Sequence, residues 1–226
     1  PHRGRLPYVE RDESWMYFNK RILLEARRPD LPLLERFNYL GIYSNNLDEF
    51  FRVRVASLRR IIDSGTNVLE TERKIARETL LTILRLNKEY SALFDETFTQ
   101  LVKELRNAHI HLINEQELST KQEDEVLGFF MDKLSGITNP IFIDSLTFLP
   151  EQHLKESLYL AVVLWHEQGE PVEKHDIALL EVPTKELGRF LRLKDEGDES
   201  YLMFLEDVLR YCLPYIFIGR EYVQYE

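Results

Sequence analysis

The first half of the chain carries apolar side chains at steps of three and four residues, the spacing of one face of an α-helix. A first helix is predicted to begin with Ser14 as its N-cap and to stop at Pro29, which cannot continue a helix. Its apolar face would consist of Trp15, Phe18, Ile22 and Ala26.

A second apolar stripe is interrupted by small and polar residues. It follows Asp30, a residue suited to an N-cap, and tolerates Pro32 because the first N–H groups of a helix lack partners. Its apolar positions are Leu33, Phe37 and Leu40 before the interruption by Gly41 and Ser44-Asn45-Asn46, then Leu47, Phe50 or Phe51, Val55, Leu58 and Ile62. Gly65 is predicted to end this helix in a left-handed conformation.

The longest helical pattern extends from about Val68 to Arg106. Its apolar or small positions are Ile75, Thr79, Ile83, Leu86, Tyr90, Leu93, Thr97, Leu101 and Leu105. A helix of this length can serve as the antiparallel partner of the earlier helices. Residues 1–107 are therefore predicted to form an antiparallel helical bundle.

The pattern changes near His109, where residues 109–113 alternate like a short strand. Ser119 and Gln122 have the spacing of a capping box and predict a helix to about Leu134. Further elements are predicted at Leu158–Trp165 and Ile177–Val182 (a hairpin), Thr184–Phe190 (a short helix) and Tyr201–Leu213 (a last helix). Residues 222–226 resemble a strand with no partner after it, which predicts a truncated second domain.

These patterns predict a mainly α protein with a smaller α+β part, divided into residues 1–107 and a mixed α/β domain at 108–226. The charges support the division: basic residues exceed acidic ones by 3 in the first part, whereas acidic residues exceed basic ones by 13 in the second. The net charge of -10 argues against a nucleic-acid partner, because phosphate backbones are bound by clustered Lys and Arg.

The chain is also predicted to be a cytoplasmic protein, with or without peripheral attachment to a membrane. No apolar run approaches the roughly 20 residues of a transmembrane helix, and the basic N-terminus is not followed by a signal-peptide core. The single cysteine, Cys212, lies in an apolar run and is predicted to be buried and inert.

Signals for chemistry are few. The nine glycines are scattered singly, so no phosphate-binding glycine loop is present. His109 and His111 are close enough to share a metal ion, but no third ligand is indicated nearby, so no metal site is predicted. No spacing marks a nucleophile with its base, and no catalytic residue is predicted in this chain.

The segment from Gly41 to Phe50 is the exception, since glycine, serine and asparagine are poor residues for a helix interior. One interpretation is a corner between helices, with Ser44 or Asn45 capping the next helix. The other is that an asparagine amide, which offers donors and an acceptor, faces a ligand such as a purine.

Two stretches resemble the opening of the polyphosphate kinase family. They are Ser14-Trp15, Phe18-Asn19 and Arg21, and then Leu40-Gly41-Ile42-Tyr43-Ser44-Asn45-Asn46-Leu47-Asp48-Glu49-Phe50-Phe51-Arg52-Val53-Arg54. Within the second, residues 43–50 match a family motif without a break. Weaker similarity at 112–115, 137–141, 178–183 and 208–213 extends the resemblance over nearly the whole chain.

The resemblance implies an enzyme that reversibly transfers the terminal phosphoryl group of ATP to polyphosphate, as a homodimer or tetramer. In that family a helical N-terminal domain precedes a mixed α/β head domain that helps to build the dimer. Two phospholipase-D-like domains then carry the phosphohistidine, the second catalytic histidine, the Mg²⁺ site and most phosphate-binding arginines. No residue here matches those groups, so the chain alone is predicted to be inactive.

One site residue carries over from the family, namely Asn46, which resembles the N-terminal-domain residue that contacts ATP. Arg54 is predicted to contact the phosphates, as one of the basic residues Arg52, Arg54, Arg59 and Arg60, which could instead form a solvated face paired with Asp48 and Glu49. Tyr43 and Phe37 could border an adenine or belong to the core. The alternative function is a helical protein–protein interaction module that binds no nucleotide.

Overall fold

A computed structural model describes residues 10–64, 68–143, 157–165, 175–218 and 224–225 of the chain. Residues 1–105 and 106–226 form two compact units. The helices that begin in the first unit are α1 (Arg11–Glu25), α2 (Leu33–Phe50), α3 (Ala56–Asp63) and α4 (Glu70–Asn107). The prediction of a mainly helical chain with a smaller α+β part is confirmed.

Helix α1 begins before the predicted N-cap Ser14. The carboxylate of Glu10 caps it instead, accepting hydrogen bonds from the backbone N–H of Asp12 at 2.6 Å and of Glu13 at 3.2 Å. The buried residues of α1 are Asp12, Met16, Asn19 and Leu23, so the helix is rotated relative to the predicted face. Phe18, which was expected to be buried, is 55% exposed.

Helix α2 continues into α3 through a π-helical turn at Phe51–Val55, so a single helical rod spans residues 33–63. Its N-cap is Pro32 rather than Asp30, whose carboxylate is bound by the guanidinium of Arg28. The predicted terminator Gly65 lies outside the described residues.

Helix α4 has the predicted bounds to within two residues. Its buried positions are Ala76, Thr79, Ile83, Leu86, Tyr90, Thr97, Leu101 and Leu105. Ala76 is buried in place of the predicted Ile75, which is 58% exposed. Five of them, Ala76, Ile83, Leu86, Tyr90 and Leu101, share one core with apolar residues of α1, α2 and α3, as predicted for a bundle.

The described residues of the second unit form two small sheets. Its strands are β1 (Ile110–Ile113), β2 (Ile141–Ile143), β3 (Leu158–Trp165), β4 (His175–Val182), β5 (Phe190–Arg192), β6 (Ser200–Phe204) and β7 (Gln224–Tyr225). One sheet has the order β1-β6-β5, with β1 and β6 parallel, and the other is antiparallel with the order β2-β4-β3-β7. Its helices are α5 (Thr120–Phe129), α6 (Thr184–Leu187), α7 (Leu205–Tyr211) and α8 (Leu213–Ile216).

The predicted capping box of Ser119 and Gln122 is confirmed, and the helix that it opens reaches Leu134 through a second π turn. The hairpin of β3 and β4 is confirmed as well, with Ala161 opposite Leu179.

Two predicted helices are partly strands. Gly188, at φ 79°, ends α6 after one turn, and the next residues form β5. The predicted helix Tyr201–Leu213 begins as β6, because that segment pairs with β1 and β5 on its two sides, and becomes helical at Leu205. The strand predicted at the end of the chain is β7, which pairs with the earlier strand β3.

In the part of the second unit that the structure describes, apolar residues form two clusters. Buried residues of α5, α7 and the β1-β6-β5 sheet form one of them, and the inner face of β3 and β4 packs against Leu213 and Phe217 in the other. Cys212 is fully buried, as predicted, and burial raises the pKa of its thiol to about 12. None of the helices in the described parts of the chain is long and apolar enough to cross a membrane.

Candidate functional site

The polar stretch Ser44-Asn45-Asn46 lies inside α2, so the prediction of a corner capped by Ser44 or Asn45 is wrong. Ser44 and Asn45 are exposed, whereas the neighbouring Leu40 and Tyr43 are buried and keep the apolar stripe continuous. Unfavourable helix propensity costs less than about 1 kcal/mol for such residues, and packing of the stripe outweighs it.

Asn46 faces α1 and is joined to it by a chain of hydrogen bonds. Its Nδ2 donates to Oδ1 of Asn19 at 3.2 Å, and Nδ2 of Asn19 donates to the backbone carbonyl of Tyr43 at 3.1 Å. Asn19 is 1% exposed, whereas Asn46 is half-buried. Within the described part of the chain, Oδ1 and the second N–H of the Asn46 side chain have no partner.

Arg54 is held by a carboxylate from α1. Its Nε and Nη2 donate to Oδ1 and Oδ2 of Asp12, both at 2.9 Å. These hydrogen bonds, more than any other cause, raise the pKa of the Arg54 guanidinium, which stays charged. Two of its five N–H donors are used in this way, and the side chain is 38% exposed, so the others remain accessible to an anion.

Asn46 and Arg54 border one cleft between α1 and the α2–α3 rod, with a volume of about 500 Å³. The residues that line it are Arg11, Asp12, Trp15, Phe18, Asn46, Glu49, Phe50, Val53 and Arg54. Trp15 stacks on Phe50 with ring centroids 4.0 Å apart and ring planes 6° apart. The cleft thus combines an apolar aromatic wall with a few polar groups, as small-molecule sites commonly do.

Tyr43 and Phe37, the two aromatic residues that could border an adenine according to the sequence, do not line this cleft. Tyr43 is buried against Phe94, and Phe37 packs edge-on against Phe98, so both belong to the core of the bundle. The cleft instead uses Trp15 and Phe18 of α1.

The predicted basic cluster does not converge on one point. Arg54 lines the cleft, but Arg52 is paired with Asp48 one turn earlier at 2.8 Å, as the solvated-face alternative predicts. Arg59 and Arg60 are exposed on α3 and do not line the cleft.

The side chains of His109 and His111 both contact Glu199, the residue just before β6. Nδ1 of His109 lies 2.7 Å from one carboxylate oxygen, and Nε2 of His111 lies 2.5 Å from the other. The two histidines lower the pKa of the Glu199 carboxyl. In the described ranges of the chain, no three His, Cys, Asp or Glu side chains are grouped so that they could hold a metal ion.

Other clefts are more strongly charged. One of about 540 Å³ lies along the end of α1 and α4, where Arg27 binds Glu96 and Arg36 binds Glu104. Another of about 740 Å³ is lined mostly by charged residues of α5 and the segment 194–197. Neither contains an aromatic side chain in its lining, so the Asn46 cleft is the better candidate for an organic ligand.

Comparisons with known proteins agree with the architecture. The model of the polyphosphate kinase N-terminal domain matches residues 8–113, and that of the polyphosphate kinase middle domain matches residues 121–226. Polyphosphate kinases of Escherichia coli strain K12 and Vibrio parahaemolyticus are 36% and 32% identical, over 218 and 220 residues. Each alignment covers 94% of this chain and 30% of the relative.

A solved structure gives the same result. The crystal structure of polyphosphate kinase from Porphyromonas gingivalis superposes with a TM-score of 0.73 at 29% identity, covering 95% of this chain and 32% of that one. The chain belongs to the polyphosphate kinase family. It corresponds to the N-terminal and middle domains, and it spans about 30% of the length of the curated relatives that it matches. The interaction-module alternative is not favoured.

Proposed function

We propose that this chain is part of an enzyme that reversibly transfers the terminal phosphoryl group of ATP to polyphosphate, and that the Asn46 cleft holds the adenine base. The observation that carries the second statement is the Asn46 amide, which presents an acceptor and a donor to a cleft with an aromatic wall. An amide pairs with adenine in this way, since the base offers an amino group beside a ring nitrogen.

The spacing of the two polar groups fits a nucleotide. Asn46 and Arg54 are eight residues apart, which corresponds to about 12 Å along a helix at about 1.5 Å per residue. That distance is comparable to the span of an extended nucleoside triphosphate from its base to its phosphates. A base held at Asn46 would therefore direct its phosphates towards Arg54.

The cleft would contribute binding and orientation, not bond-making. As the structure describes it, its lining contains no histidine, serine or cysteine that could serve as a nucleophile. Transfer of the terminal phosphoryl group of ATP to the end of the polymer, with ADP as the leaving group, would use the phosphohistidine that the family resemblance implies outside this chain, and Mg²⁺ would be held there as well. Positioning alone can lower a barrier substantially, because it removes the entropy cost of bringing reactants together.

The remaining parts of the proposal follow from the same resemblance. The full-length enzyme would act on ATP, ADP and polyphosphate as a homodimer or tetramer in the cytoplasm, and the domain at 108–226 would help to build the dimer. Neither nucleic acid nor a protein scaffold is needed to explain the cleft.

The test of this proposal is the substitution Asn46→Ala in the full-length gene product, compared with Asn45→Ala. Loss of one hydrogen bond to the base is expected to lower kcat/KM for ATP roughly 5- to 150-fold, mainly through KM. Asn45 is exposed on the same helix and does not line the cleft, so its variant should match the wild type. The measurement is the ATP dependence of polyphosphate synthesis, with folding checked by circular dichroism. Equal kinetics of the two variants would refute the base contact, and a wild type that makes no polymer would refute the assigned reaction.

The phosphate-side role of Arg54 has its own test. The substitution Arg54→Ala is expected to lower kcat/KM for ATP by roughly 10-fold or more, because hydrogen bonds to charged groups contribute about 1.5 to 3 kcal/mol. Arg59→Ala removes an exposed arginine of the same rod and is the matched control. Since the loss of Arg54 also leaves the buried Asp12 with only the more distant guanidinium of Arg11, 3.7 Å away, the thermal midpoint of each variant must be measured too. An Arg54→Ala enzyme that is less stable but kinetically normal would show that the pair is structural.

A further inference from the structure

We infer that Asn19 fixes the direction of the Asn46 amide and thereby makes the cleft selective for 6-aminopurines over 6-oxopurines. Asn19 is a positioning residue in this inference, because it does not itself line the cleft. The inference rests on the proposed base contact of Asn46 and extends it from the presence of a contact to its specificity.

The orientation of the Asn19 amide is set by a hydrogen-bond partner that can only accept. The backbone carbonyl of Tyr43 has no proton to give, so the side-chain atom of Asn19 that lies 3.1 Å from it must be Nδ2. The other end of the Asn19 amide, Oδ1, then faces Asn46. Because Oδ1 can only accept, Asn46 must turn its own Nδ2 towards it, at 3.2 Å.

Burial makes this arrangement costly to reverse. Asn19 is 1% exposed, so water cannot replace the hydrogen bonds of a flipped amide. A flip of Asn19 would bring its oxygen against the carbonyl oxygen of Tyr43. A flip of Asn46 alone would bring two amide oxygens together. Each alternative leaves a buried polar atom unpaired, which folded proteins avoid.

The outcome is a fixed pattern on the cleft side of Asn46. Oδ1 is available to accept and one N–H of Nδ2 is available to donate. Adenine offers the complementary order, an amino group beside an accepting ring nitrogen. Guanine and hypoxanthine carry a carbonyl oxygen at the same place, which would face Oδ1 without a proton between them. Sites that hydrogen-bond a substrate group discriminate strongly against analogues that leave their polar atoms unpaired.

The first measurement uses the wild-type full-length gene product with ATP and with inosine triphosphate. Hypoxanthine lacks the 2-amino group of guanine, so its size at that position is that of adenine and only the 6-substituent and the N1 proton differ. With the Asn46 amide fixed, kcat/KM for polymer synthesis should be roughly 5- to 150-fold lower for inosine triphosphate, since one bidentate contact is worth about 1 to 3 kcal/mol of discrimination. If the amide can turn freely, the two nucleotides should differ by less than about 3-fold, and the inference is overturned.

The second measurement removes the positioning residue. The substitution Asn19→Ala should reduce the ATP to inosine triphosphate ratio towards one, because Asn46 can then turn to suit either base. Thr97→Ala is the matched control: Thr97 is also buried, but it lies on α4 outside the cleft and donates to the carbonyl of Leu93. Its variant should keep the wild-type ratio even if it is less stable.

A double-mutant cycle separates the inference from the proposal beneath it. In an Asn46→Ala background, Asn19→Ala should have no further effect on the ratio. If Asn46→Ala leaves both kcat/KM and the ratio unchanged, the base contact itself fails. If Asn46→Ala lowers the ratio but Asn19→Ala does not, the base contact stands and the role of Asn19 is refuted. Should Asn19→Ala fail to fold, the ratio is measured in Asn19→Ser, whose short side chain also lacks the amide that holds Asn46; an unchanged ratio there refutes the role of Asn19.

Discussion

Replacing Trp15 with alanine is expected to lower the free energy of unfolding of the helical unit by about 3 kcal/mol. The indole stacks on Phe50, which is 4% exposed, and packs against the core that α1, α2, α3 and α4 share. Removing a buried aromatic side chain costs about 3 to 5 kcal/mol, and Trp15 belongs at the lower end because it is only half-buried. Denaturant unfolding followed by far-ultraviolet circular dichroism, in which helices dominate, gives the value.

Phe18→Ala is the matched variant for this prediction. Phe18 lies on the same helix and borders the same cleft, but it is 55% exposed, so its loss should change stability by less than about 1 kcal/mol. Both variants remove part of the aromatic wall. If the wall contacts the base, both should raise KM for ATP, whereas only Trp15→Ala should unfold more easily. Equal stability losses for the two variants would show that Phe18 packs more closely than its exposure indicates.

A second large effect is expected at Asp207, which is 7% exposed at the start of α7. Burial is the main cause that raises the pKa of its carboxyl to about 6 from an ordinary value of 3.8. The nearby carboxylates Glu115 and Glu206 add to the rise, while the guanidinium of Arg210 opposes it. The folded chain therefore keeps this proton at a pH at which the unfolded chain has released it.

The sign of the pH dependence follows from the bound proton. Between about pH 4 and about pH 6 the folded state binds more protons at this site, so its contribution to stability falls as pH rises. A shift of about two units corresponds to about 2 to 3 kcal/mol. Asp207→Asn removes this titration. On going from about pH 4 to about pH 7, the free energy of unfolding of the variant should therefore rise relative to that of the wild type by up to about 2 to 3 kcal/mol.

The measurement needs a signal from the second unit alone. The chain has two tryptophans, Trp15 and Trp165, one in each unit, so a Trp15→Phe background leaves Trp165 fluorescence as the reporter. Urea unfolding at several pH values would then give the free energy of unfolding for Asp207→Asn, with the exposed Asp198→Asn as control. If the free energy of unfolding changes with pH in the same way for Asp207→Asn and for its parent, Asp207 has the same pKa in the folded and the unfolded chain, and the prediction is wrong.

Much of the helical architecture could be predicted from the sequence, because it depends on patterns that are local. The stripe of α4 repeats over ten turns, and its bounds were predicted to within two residues. The capping box at Ser119 is also local, since both of its hydrogen bonds join residues three positions apart. The strands β5 and β6 were missed because their conformation is decided by pairing with each other and with β1, which no local window contains.

The candidate site was predictable only in part. Asn46 and Arg54 were predicted as ligand contacts and lie at one cleft, but their partners on α1 were not foreseen. A search for apolar stripes assigns Asp12 and Asn19 to the solvent side, whereas both are buried on the stripe itself. Each is satisfied by a group on α2 or on the turn after it, and the local pattern does not identify that distant partner. A polar residue spaced three or four positions from buried apolar ones is the signal that could have found them.

The π turn at Phe51–Val55 explains how two residues so far apart on one rod can border the same cleft. On a regular α-helix, eight residues turn through about 800°, which would leave Asn46 and Arg54 pointing about 80° apart. A π turn contains one residue more than the α turn that it replaces, so each of its residues turns through a smaller angle; Arg54 lies inside this turn, and the two directions are therefore closer together than on a regular helix. The π turn therefore sets the direction in which Arg54 points relative to Asn46. Deleting one residue there would rotate Arg54 away from Asp12 and from the cleft, although every cleft residue would still be present in the sequence.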